Sequence, residues 1–101
     1  MAIFLQFDDS DNATIKLEER FDFSDVHDFR RCYENIDVEK ACIVTIDFEL
    51  TSQIDSSALG MLINLKRFFE GTDTKIILSN CNARIMKIFS ISNFEKLFNF
   101  S

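Results

Sequence analysis

Gln53-Ile54-Asp55-Ser56-Ser57-Ala58-Leu59-Gly60-Met61-Leu62 runs from a short apolar strand through Asp-Ser-Ser directly into residues that are apolar at helical spacing. The change of period marks a strand followed at once by a helix. It also puts two hydroxyls, Ser56 and Ser57, at a helix start. Backbone N–H groups are unpaired there and the helix dipole is positive, so a phosphate on either serine is locally tolerated. A serine so placed can act as a charge switch.

Beyond this junction, Leu59, Leu62, Ile63 and Phe69 form one stripe and Met61, Leu65 and Phe68 lie on its flank. That is more apolar surface than one core contact requires, so the flank is a candidate partner surface. Before the junction, ACIVTIDF at 41–48 is β-branched and nearly continuously apolar, which predicts a central strand buried on both faces. A further apolar run at 75–79 follows the turn Gly71-Thr72-Asp73, and Asn82 or Ser79 can cap a third helix carrying Ile85, Ile88 and Phe89.

Toward the N-terminus, Ile3, Leu5 and Phe7 alternate, as do Ile15 and Leu17, around the polar stretch Asp8-Asp9-Ser10-Asp11-Asn12. This reads as an antiparallel hairpin. Ser24 is the expected N-cap of a first helix over 24–34, with Asp25 and Asp28 in its first turn and Val26, Phe29 and Tyr33 on its apolar stripe. The tail, with Phe94, Leu97, Phe98 and Phe100, is expected to pack as a short strand or a helical turn. The alternation predicts one α/β domain over residues 1–101, with parallel pairing in the central part of its sheet and the hairpin as an antiparallel edge. Proline is absent and the glycines are Gly60 and Gly71, so the turns must rely on Asp, Asn and Ser.

A chain of 101 residues, 47% of them hydrophobic, can fill one core. Its net charge of −6, with 11 scattered basic residues, argues against a grip on nucleic acid or on an anionic membrane. The acidic opening Met1 to Asp9 does not read as a signal peptide, and no apolar run approaches the roughly 20 residues of a membrane span. The expectation is a cytoplasmic protein. Cys32, Cys42 and Cys81 are widely separated and His27 is the sole histidine, so neither a metal site nor a disulfide framework is expected, and no cofactor. The cysteines read as small apolar residues in a reducing compartment.

Catalysis finds little support. A serine hydrolase needs a base, an orienting acid and a nucleophile elbow, and the chain has no Gly-x-Ser-x-Gly. Asp8, Asp9 and Asp11 lack the glycine and distal glutamate of a calcium loop and read as a hairpin turn. The 12 phenylalanines are explained by the filling of a small core with large rings. Asp55 and Ser56 could also be cap residues and nothing more, since a short motif is weak evidence alone and capping is compatible with modification.

The order of elements together with Ile54-Asp55-Ser56-Ser57-Ala58-Leu59-Gly60 resembles the STAS domain of bacterial anti-sigma factor antagonists. Glu19-Arg20-Phe21-Asp22 and Arg84-Ile85-Met86-Lys87-Ile88-Phe89 support the resemblance, which covers most of the chain. It implies a small mixed β-sheet of four to five strands with helices packed mainly on one face, and a non-enzymatic partner-switching protein. Ser56, directly after the motif aspartate, is the implied phosphoacceptor, and Ser57 is the less favoured second one. A serine kinase that is also the anti-sigma-like partner adds the phosphate, and a metal-dependent, PP2C-like phosphatase removes it. The unmodified form captures the partner and the phosphorylated form releases it. Asp55 and Asp22 are the implied supports of the phosphosite, and Ser57, Ala58, Met61, Leu65 and Phe68 the candidate partner-binding residues.

Two residues depart from the family pattern: Ala58 and Glu19 stand where glycine is frequent. The chain also leaves little room for the final helix common in this fold. A monomer is the simplest expectation. The alternative function is a cytoplasmic STAS accessory subunit of an ABC-type lipid transporter, indifferent to Ser56 but sensitive to charge at Met61, Leu65 or Phe68. A small-ligand sensor is the third reading, for which the chain has no Gly-rich phosphate loop.

Overall fold

The computed structural model describes residues 3–101; Met1 and Ala2 of the acidic opening lie outside them. The hairpin forms as β1 (Ile3–Phe7) and β2 (Ala13–Leu17), paired antiparallel. Then come β3 (Arg20–Phe21), a 3-10 turn (Phe23–Asp25), α1 (Val26–Glu34), β4 (Ile43–Asp47), β5 (Gln53–Ile54) and α2 (Ser56–Phe68). The last elements are β6 (Lys75–Ser79), α3 (Ala83–Ile91), a second 3-10 turn (Phe94–Lys96) and β7 (Asn99–Phe100).

The main sheet has five strands in the order β1-β2-β4-β6-β7, and every pairing after the first is parallel. Register carries the core across it: Ile15 sits opposite Ile46, and Ile46 opposite Leu78, all three fully buried. Alternate residues therefore face the helices, and α1, α2 and α3 answer with Phe29, Leu62, Leu65, Ile85 and Phe89. Aromatic rings knit these layers. Phe21 meets Phe29 edge-on at 4.9 Å, and Phe48 meets Phe89 at 5.6 Å.

The expectation that the central strand is buried on both faces is corrected. Val44 and Ile46 are fully buried, while Ile43, Thr45 and Asp47 are half-buried. The helices cover one face only, and the apolar run looked longer than the strand because Ala41 and Phe48 are buried just beyond its ends. Ser24 is likewise not the cap of the first helix. Asp22 caps the preceding 3-10 turn, its Oδ1 accepting from the Ser24 N–H at 3.0 Å and the Ser24 hydroxyl at 2.6 Å. Asp25 Oδ2 accepts from the Asp22 N–H at 3.1 Å, closing a capping box.

Asn82 caps α3 by accepting from the Ile85 N–H at 2.9 Å. The tail combines the two forms expected of it. A helical turn brings Phe94 onto Phe89, stacked at 5.3 Å, and β7 then pairs with β6 through Ile77↔Asn99 and Leu78↔Phe100. Without proline, left-handed corners fall to Asp11, Asn80 and Asn93, with φ near 60°, and to Gly71.

Candidate functional site

Outside the main sheet, β3 and β5 form their own two-stranded parallel pair, with Arg20 opposite Gln53 and Phe21 opposite Ile54. The next residue on each strand is an aspartate. Parallel register therefore delivers Asp22 and Asp55 to the same end of the pair, each at the start of a helical element. The connection is reinforced on the strand side: Ser52 and Gln53 donate to the Glu19 carbonyl, and the buried Thr51 hydroxyl donates to the Glu18 carbonyl at 2.7 Å.

Asp55 is the N-cap of α2. Its Oδ1 accepts from the Ala58 N–H at 3.1 Å, and its Oδ2 accepts from the Phe23 N–H at 3.2 Å. One carboxylate thus fixes the helix start and ties it to the turn that follows β3. Asp22 and Asp55, with Arg20, Gln53 and Ile54, line a cleft of about 130 Å³. Hydrogen bonds from the Ser24 hydroxyl and N–H hold the Asp22 carboxyl below its ordinary pKa. The neighbouring Asp25 is buried, and desolvation pushes its carboxyl up.

Ser56 is the first residue of α2 and is exposed, whereas Ser57 is half-buried. The cap role belongs to Asp55, so the helix start does not require the hydroxyl of the exposed Ser56. Sequence reasoning missed Phe23. Its N–H completes the Asp55 contact, and the residue is 74% exposed. Only the register of the β3–β5 pair could have linked the two, and a two-residue strand carries almost no periodic signal.

The apolar flank expected on α2 is corrected. Ala58 and Leu65 are fully buried and Met61 is 6% exposed, so these three pack inward; among the expected partner residues on that flank, Phe68 alone is exposed. α2 packs on the sheet and against α1 together, which buries a wider arc than one stripe. Leu59 and Ile63, placed in the core stripe by their spacing, are the half-buried ones. Among the described residues no group of His, Cys, Asp and Glu is arranged to hold a metal ion, and no helix is long and apolar enough to cross a membrane.

A five-stranded mixed sheet backed by three helices, with an exposed serine next to a capping aspartate, is the arrangement of a STAS domain. The chain belongs to that family: the STAS domain model matches residues 5–101. A STAS-domain containing protein of Pseudomonas aeruginosa (strain UCBPP-PA14) is 41% identical over 93 residues, covering 92% of this chain and 91% of that one. The anti-sigma factor antagonist SpoIIAA has the same fold in its unphosphorylated form, with a TM-score of 0.77 at 20% identity over 99% of this chain and 87% of that one. For the phosphorylated form of this Bacillus cell fate determinant the TM-score is 0.76 at 22% identity, over 99% and 91% of the two chains. The STAS domain of a SulP transporter from Vibrio cholerae also aligns, with a TM-score of 0.67 at 20% identity over 85% of this chain and 70% of that one.

Proposed function

We propose that this protein is a phosphorylation-controlled binding protein, not an enzyme, that captures a serine kinase of the anti-sigma type and releases it when Ser56 is phosphorylated. The observation that carries the reading is the exposure of Ser56 at the first position of α2, beside a capping carboxylate that leaves its hydroxyl free. Ser57, half-buried one residue on, is the poorer acceptor.

The switch works at the surface. A phosphate adds about −1.5 to −2 charges and three acceptor oxygens. In an interface fitted to a neutral hydroxyl it adds bulk and repels any partner carboxylate, and every 1.4 kcal/mol or so lost is about tenfold in affinity. The α2 dipole offsets part of the local cost, so release proceeds with the fold intact. Asp55 and Asp22 hold the loop and helix start in register while a kinase approaches, and a metal-dependent, PP2C-like phosphatase resets the system. The transporter-accessory reading draws on the fold alone and leaves the exposed serine without a role.

Intact-mass analysis of protein purified from its own cells, with fragmentation to locate the modification, tests the proposal. A single phosphoryl group on Ser56 is the expected result. Its absence across growth conditions, or its location elsewhere, overturns the reading.

A further inference from the structure

α1 and α2 lie side by side, and between them runs an open groove of about 480 Å³. Its floor is Phe29 and Met61, and its wall is the ring pair Tyr33 and Phe68, whose centroids are 5.2 Å apart. Phe68, at 38% exposure, is the part of this wall most open to solvent. The pair packs α1 on α2 at a solvent-open seam, and concave, aromatic-lined spaces between helices are where small ligands bind.

The rim supplies the charge. Arg30 Nε donates to Glu34 Oε2 at 3.0 Å, so those two charges neutralise each other on the α1 side. Arg67, on the α2 side, lines the same groove and takes part in no ion pair among the described residues. The groove therefore has one guanidinium without an ion-pair partner among the described residues beside its aromatic wall, in a chain whose net charge is −6. A guanidinium holds a carboxylate or sulfonate through paired N–H donors, while the rings accept a flat apolar body.

We infer that the α1–α2 groove is a binding site for a small aromatic anion, its ring seated against Tyr33 and Phe68 and its acidic group on Arg67. Phe68 lies about 18 Å along the α2 axis from Ser56, so the site is separate from the phosphoacceptor while sharing its helix. The inference stands whether or not Ser56 is modified. A ligand bridging α1 and α2 also stiffens the helix that bears that serine.

Titration with naphthoate and with the uncharged naphthalenemethanol, followed by amide chemical shifts in NMR, tests the site on the intact protein. Saturable shifts around Val26, Tyr33, Asn64 and Phe68 are expected with naphthoate, with naphthalenemethanol binding distinctly more weakly. Arg67→Glu should weaken naphthoate by at least about tenfold, through loss of a charge-assisted contact and reversal of the charge. Its unfolding midpoint should fall only slightly, because Arg67 is exposed but lies in the last turn of α2, where a carboxylate meets the negative end of the helix dipole. Phe68→Ala should weaken both probes. Shifts that do not saturate at millimolar probe, shifts centred on another surface such as the β1 edge around Phe4, or equal naphthoate affinity in Arg67→Glu would each overturn the proposal.

Discussion

Asp55 and Phe23, thirty-two positions apart, are joined by a hydrogen bond of 3.2 Å from the Phe23 N–H to Asp55 Oδ2. The other oxygen of the same carboxylate caps α2 through the Ala58 N–H. Asp55 thus performs two tasks, and its substitutions separate them. Asp55→Ala should lose about 2 kcal/mol, roughly 1 for the cap and a similar amount for the cross-link. Asp55→Asn keeps one acceptor oxygen and should lose about half of that. Urea unfolding of the three proteins measures both, and equal losses in Ala and Asn would show that charge, not acceptor geometry, holds the junction.

Two phenylalanines two residues apart make a sharper contrast. Phe21 is fully buried, with Phe29 at 4.9 Å and Phe48 at 6.3 Å, so Phe21→Ala should cost about 3–5 kcal/mol, a large share of the 5–15 or so that holds a small domain together. Phe23 projects into solvent, and Phe23→Ala should stay within about 0.5 kcal/mol. Calorimetric melting of both variants checks the pair. A large loss at Phe23 would mean that its ring packs on a surface in solution.

The fold was legible where periodicity was strong. The hairpin, the strand at 75–79 and the helix after Asp55 follow directly from spacing and caps. Periodicity failed where burial is set by tertiary context. Met61 and Leu65 pack inward because α2 meets α1 as well as the sheet, and no count along one helix reveals a second neighbour. Ser24 does not cap α1 because a 3-10 turn intervenes, itself capped by Asp22 in a capping box with Asp25, so that Ser24 lies inside the turn. The pairing of Asp22 with Asp55 was beyond spacing altogether, since it arises from two strands of two residues each.

Acid and base should pull on the first turn in opposite directions. Burial raises the Asp25 carboxyl above 3.8, with Asp22, Asp28 and Glu18 adding like-charge repulsion. Its native form therefore holds a proton more tightly than its unfolded form. That contribution to stability is full below about 3.8 and is lost as pH rises through the folded value. Asp22, held low by Ser24, has the reverse sign: its contribution is present above 3.8 and is lost as pH falls. Asp25→Asn keeps an oxygen for the Asp22 N–H but cannot ionise. Urea midpoints across the interval from 3.8 to neutrality should show the variant gaining on the native protein as pH rises. A constant difference would mean that Asp25 matters only as an acceptor.

The three cysteines differ in reach. Cys42 is exposed, Cys32 is buried, and burial pushes the Cys81 thiol up to about 11, with Asp47 adding to the shift. The thiolate is the reactive form, so Cys81 should be almost inert at neutral pH. Timed alkylation followed by peptide mass analysis should find Cys42 labelled first and Cys32 and Cys81 only on unfolding. Early labelling of Cys81 would mean that the start of α3 opens readily.

Substitutions at Ser56 are informative because the fold does not depend on its side chain. Asp55 makes the cap and Ser56 is exposed, so Ser56→Ala should change stability by less than about 0.5 kcal/mol. Ser56→Asp places a carboxylate in the first turn of α2, where the helix dipole should stabilise it by about 0.3–1 kcal/mol. The sign matters. If the charged variant is as stable as the native protein or more so, any loss of partner binding that accompanies it is a loss at the interface. Thermal melting of both variants, set beside a binding assay with the kinase partner proposed above, distinguishes the cases. A destabilised Ser56→Asp would instead place the switch in the folding of α2.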